Sequence, residues 1–78
     1  MNEENKMAKV TVDSNINEFE DVLFNPDLVV VQKEHTSKLT HLSSVYVYEN
    51  QGDKNPIYGV FREITAEGTD FWKETYNA

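Results

Sequence analysis

Polar and apolar positions alternate with a period of two over most of the chain and shift once to a helical period. Residues 9–13 (KVTVD) put Val10 and Val12 on one side and Thr11 on the other. That alternation of β-branched residues predicts a short first strand. From residue 16 the period changes. Ile16, Phe19, Val22 and Leu23 fall on one stripe at 100° per residue, with Glu18 and Asp21 on the opposite side. This is the pattern of a short amphipathic helix over roughly 16–24. Ser14 and Asn15 supply N-cap chemistry ahead of it, and Glu18 stands at the capping-box position three residues after Asn15. Asn25-Pro26-Asp27 ends it, because the residue before a proline is pushed away from the α region. A helix this short does not persist alone, so it must be held by packing on a sheet.

After the helix the period of two returns. Leu28-Val29-Val30-Val31 is a continuous apolar run, which predicts a strand covered on both faces. Its polar continuation, Gln32 to His35, extends it as an exposed strand end, and Thr36-Ser37-Lys38 turns. Leu39 to Glu49 is rich in β-formers, above all Val45-Tyr46-Val47-Tyr48. A helix from Ser37 carrying Leu39, Leu42 and Val45 on one face is the rival reading. Asn50 to Pro56 is a polar loop with Gly and Pro, placed as in a wide hairpin. Ile57 to Thr65 is a further strand, and Glu67-Gly68 a tight turn in which glycine supplies a positive φ. Thr69 to Tyr76 reads as a strand. The alternative is a last helix capped by Asp70, with Trp72 and Tyr76 one turn apart. The expected fold class is α+β, one short helix packed on a mostly antiparallel sheet of about four strands. Residues 9–78 form a single domain behind a flexible N-terminal tail, 1–8.

The strand pattern makes both faces of the central sheet apolar. Val45 and Val47 oppose Tyr46 and Tyr48, while Ile57 and Phe61 oppose Tyr58, Val60 and Ile64. One short helix covers one face, and the remaining cover is the C-terminal segment with Phe71 and Trp72. Seven of the nine aromatic residues lie between Tyr46 and Tyr76, and Tyr and Trp are enriched where an apolar body meets a wet tip. Tyr46, Tyr48, Tyr58, Trp72 and Tyr76 are therefore the candidate dimer or partner face, and a homodimer is expected.

Composition narrows the chemistry. The chain has 78 residues, 14 acidic against 7 basic, a net charge of -7 and no cysteine. Without cysteine there is no disulfide framework, no thiolate zinc site and no thiol nucleophile. No apolar run approaches the roughly 20 residues of a membrane helix, and the first ten residues, MNEENKMAKV, do not resemble a signal peptide. A cytoplasmic protein is expected. Its seven basic residues are dispersed and only Arg62 is an arginine, which argues against direct nucleic-acid binding and against an anionic membrane. His35 and His41 are six apart, about 20 Å along an unbroken strand at ~3.3 Å per residue, too far for one metal ion. The glycines are too scattered for a phosphate-cradling loop, and Gly-x-Ser-x-Gly is absent. No metal, no cofactor and no enzymatic activity are expected.

The most informative stretch is acidic. From Asp13 to Asp27 there are five acids, Asp13, Glu18, Glu20, Asp21 and Asp27, and no base. A solvated helix face accounts for such a run. So does a row of carboxylates imitating the phosphate charges of a duplex, spaced about 1.7 Å along its axis. A dimer aligning two rows comes closer to that density than one protomer. Short length, lack of cysteine, acidity, the stretch NINEFEDVLFNPD and the dense Tyr/Trp half resemble the small early proteins of tailed bacteriophages. Nearest among them are the Bacillus phage inhibitors of the nucleoid protein HU. The resemblance implies a non-enzymatic inhibitor that binds a basic DNA-binding host protein and competes with DNA. Other outcomes compatible with the residues are inhibition of a host nuclease or RNA polymerase, or a structural accessory role using the aromatic face.

Overall fold

A computed structural model describes residues 8–77, with the order β1(Ala8–Asp13), α1(Ile16–Leu23), β2(Val29–Thr36), β3(His41–Tyr48), β4(Tyr58–Thr65) and β5(Gly68–Asn77). The five strands form one antiparallel sheet in the order β1-β5-β4-β3-β2. The sheet has five strands rather than about four, and the C-terminal segment forms the expected strand within it rather than the alternative helix. β2 to β5 form a meander, and the first strand returns to pair with the last. β1 and β2 are the two edges, and α1 links them by crossing one face of the sheet. Most of the expected tail lies outside the described residues, but Ala8 already opens β1.

The local chemistry of α1 matches its sequence. Asn15 is the N-cap, extended at φ -149°, and its side-chain oxygen accepts from the Glu18 backbone N–H at 3.0 Å. Phe24 closes the helix, its N–H donating to the Glu20 carbonyl at 3.0 Å. Packing supplies what eight residues of helix cannot. Phe19 and Val22 are buried against Val45, Val47 and Val60, with Leu23, Leu28, Val30, Tyr58 and Phe71 around them. Phe19 meets Phe71 edge to face at 6.0 Å. The helix lies over the centre of the sheet and leaves Val10 and Val12 of β1 about half exposed.

Two expectations are corrected at the strands. The Leu28–Val31 run is not covered on both faces. It enters an edge strand, and Val31 is 42% exposed. The helix from Ser37 does not form: Ser37 and Thr40 close a tight hairpin, the Ser37 N–H donating to the Thr40 carbonyl at 2.9 Å. At the last hairpin the turn residues are Ala66 and Glu67. Gly68 follows as the first residue of β5 at φ +140°, where a side chain would be strained.

Candidate functional site

The register sorts the side chains into two faces. Tyr58, Val60 and Arg62 of β4 stand beside Val47, Val45 and Ser43 of β3, beneath the helix. Among the described residues no helix lies over the opposite face. There Val31, Tyr46, Gly59 and Glu74 form one row across β2, β3, β4 and β5. Lys33, Ser44, Phe61, Trp72 and Asp13 form the next, and Tyr48 and Tyr76 flank the first row on the other side. Of the candidate aromatic residues, Tyr46, Tyr48, Trp72 and Tyr76 thus share the open face. Tyr58 does not. It lies on the helix side, with the Lys73 ammonium 4.6 Å from its ring centre. Its phenol is pushed above the ordinary tyrosine range by burial, then by the charge of Glu18. The C-terminal segment is no cover for either face, since it is a strand of the sheet itself.

The open face is ordered by ring contacts. Phe61 stacks on Trp72 at 5.3 Å, and Tyr46 meets Phe61 edge-on at 5.6 Å. These rings lean over Gly59, where a Cβ would come within 3.1 Å of Phe61 and 3.3 Å of Tyr46. Glycine at this position lets the aromatic layer close on the backbone. Beside it, Glu74 accepts from the Trp72 indole N–H at 3.2 Å and from the Tyr76 hydroxyl at 2.9 Å, one bond on each carboxylate oxygen. The Lys9 ammonium lies 3.8 Å away. Tyr76 is held well above the ordinary tyrosine range by burial, and further by its bond to the Glu74 carboxylate and by that charge.

The five candidate acids do not form one row. Asp13 sits at the end of β1, paired in register with Trp72, so it belongs to the open face. Glu18 does not project outward as its helical position implies. The Ser14 hydroxyl donates to it, and the Lys73 ammonium of β5 lies 3.6 Å from it. The outward face of the helix and the following turn keep Glu20, Asp21 and Asp27 exposed. The acidic helix and four of the aromatic candidates therefore occupy opposite sides of the sheet.

A polar network missed in the sequence occupies the helix side near the β2–β3 turn. Glu34 accepts from His41 Nε2 at 2.5 Å and from the Ser43 hydroxyl at 2.7 Å through one oxygen, and from Gln32 at 2.7 Å through the other. Arg62 donates to the Ser43 oxygen at 3.0 Å, with its guanidinium 5.2 Å from the Phe19 ring centre. Glu34 is held below the ordinary carboxylate range, chiefly by the Ser43 hydroxyl and then by His41, against an opposing effect of burial. A hydrolytic triad places the histidine between serine and acid. Here the acid stands between them and takes the Ser43 proton bond, so the arrangement positions Arg62 rather than activating a nucleophile. His35 pairs in register with Leu42, one residue away from His41, so the two histidines face opposite sides of the sheet. Among the described residues no group of three His, Cys, Asp or Glu is arranged to hold a metal ion, and no helix is long and apolar enough to cross a membrane.

The chain belongs to the phage T4 Cef protein family, which matches it over residues 1–75. It is 71% identical over 68 residues to "Protein cef" of Enterobacteria phage T4, an alignment covering 87% of this chain and 96% of that protein. No solved structure matches it. The family is a phage family, as the resemblance to small phage proteins implies. Neither name carries a statement about DNA mimicry or nucleoid proteins.

Proposed function

We propose that this member of the phage T4 Cef family is a non-enzymatic binding protein. It acts in the host cytoplasm on a basic, DNA-binding host protein and competes with DNA for it. The observation that supports this is the outward placement of Glu20, Asp21 and Asp27 on one side of a chain of net charge -7. Carboxylates held there meet lysines and arginines that otherwise hold phosphates. Long-range attraction speeds the encounter. The nucleoid protein HU, with its basic DNA-binding cleft, is the partner we name first. With Glu18 committed to Lys73, the contacting set is Glu20, Asp21 and Asp27, with Asp13 reaching the partner only around the sheet edge.

The test is the salt dependence of direct binding to purified HU. Binding through these carboxylates weakens steeply between low and physiological salt. Each exposed pair contributes ~0.2–1 kcal/mol, so Glu20→Gln, Asp21→Asn and Asp27→Asn together weaken binding several-fold and flatten the salt dependence. Binding that is insensitive both to salt and to the triple change contradicts the reading. A second reading, self-association or assembly through the open sheet face, is favoured by the placement of Tyr46, Tyr48, Trp72 and Tyr76 on the side opposite the helix.

A further inference from the structure

Glu74 is an unusual residue for the middle of an aromatic sheet face. Its side chain is 17% exposed. It is bonded by two neutral donors, one per oxygen, which fix its orientation without neutralising its charge. A carboxylate oxygen accepts more than one hydrogen bond, so each keeps acceptor capacity. Gly59 stands between Glu74 and Tyr46 in the strand row, and the Phe61 and Tyr46 rings lean over it, so the aromatic layer reaches toward the carboxylate. Aromatic faces carry negative potential that attracts cations. The molecule's own lysines already lean toward this surface from both edges. Lys9 of β1 reaches to 3.8 Å from Glu74 while staying 58% exposed, and Lys33 of β2 lies 5.8 Å from the centre of the Tyr46 ring. Neither is held closely.

We infer that Glu74, with Trp72, Tyr76 and Tyr46 around the buried Phe61 ring, is a receptor for a cationic side chain of a partner protein, an arginine guanidinium above all. The occupant follows from charge and shape. A guanidinium is planar, pairs with a carboxylate through parallel N–H bonds and stacks on an aromatic face at the same time. An ammonium does only part of this. The Tyr76 hydroxyl keeps its proton and donates it in a hydrogen bond to Glu74, so the charge of the site stays on the carboxylate. The inference rests on the reading that the partner is basic, and adds a second contact on the side of the sheet away from the acidic helix.

The probe is acetyl-Gly-Arg-Gly-amide, which carries one positive charge, with the citrulline tripeptide as its neutral isostere. Trp72 is the single tryptophan, so its indole N–H resonance reports on the site alone. A saturable shift with the arginine peptide and none with citrulline is expected. Glu74→Gln, checked for an intact amide spectrum, lowers the affinity at least tenfold. Lys9→Gln removes the internal competitor and raises it about two- to threefold, as a weak exposed pair implies. A gain of this kind cannot come from unfolding. No shift at saturating peptide, or an equal response in folded Glu74→Gln, overturns the inference. So does a resonance that moves with protein concentration and ignores the peptide, which assigns the face to a second copy of the chain. The Glu20, Asp21 and Asp27 triple variant keeps the peptide response. A parent protein that binds the arginine peptide but not HU therefore counts against the proposed function alone, and one that binds HU but not the peptide counts against this site alone.

Discussion

At the residue scale, two side chains show how neighbours override helical and strand position. Glu18 belongs by spacing to the outward side of α1, yet the Ser14 hydroxyl and Lys73 draw it onto the sheet. Helical periodicity gives the angle of a side chain on its own helix. It does not say where a lysine of a distant strand will stand. The place of Glu74 is hidden in the sequence for the same reason. A lone glutamate in TDFWKETY reads as solvated, although Trp72, Glu74 and Tyr76 at a spacing of two signalled a shared face. Tyr76 yields a pH prediction. Its folded-state pKa is raised above the ordinary 10.0, so its contribution to stability is complete below pH ~10 and is lost as pH rises beyond it. The thermal midpoint falls across pH 9.5 to 11.5, and Tyr76→Phe makes that fall shallower, with Tyr58 supplying part of what remains. An alkaline limb unchanged by Tyr76→Phe contradicts the Glu74 bond.

At the scale of elements, the helix was the most legible part of the chain. Its stripe, its Asn15 cap and its end before Pro26 are all local signals, and the structure has α1 at Ile16–Leu23. The strands were legible from their alternation, but their neighbours were not. An apolar run such as Leu28–Val31 has the same composition whether it is central or at an edge, and its place is set by which strand pairs beyond it. The segment after Gly68 was open between strand and helix because Trp72 and Tyr76 satisfy both spacings. Pairing with both β4 and β1 decides it. The short helix depends on Phe19, which is 2% exposed and touches both the Phe71 ring and the Arg62 guanidinium. Phe19→Ala costs about 3–5 kcal/mol, a large part of the ~5–15 kcal/mol available to a small domain. Chemical denaturation measures it, and a variant that unfolds like the parent places the packing face elsewhere.

At the scale of the whole molecule, the division into a covered and an open face is the property with most consequence. Among the described residues one helix covers one face of a five-stranded sheet, with the aromatic surface on the other face and acidic charge on the helix side. The sequence carried the aromatic excess and the charge. It did not carry their separation, which depends on strand order and register. Self-association through the open face predicts sedimentation at the mass of two chains at tens of micromolar, under conditions where Trp72→Ala sediments as one. A single-chain mass for the parent protein excludes the homodimer. The central claim is competition with DNA on a basic host protein, and displacement of a labelled duplex tests it most directly. With duplex DNA bound to purified HU, the account predicts that the chain releases DNA at low salt and does so less well at physiological salt. The Glu20→Gln, Asp21→Asn, Asp27→Asn variant is weaker at both. DNA that stays bound at saturating protein, or is released equally well by that variant, contradicts it.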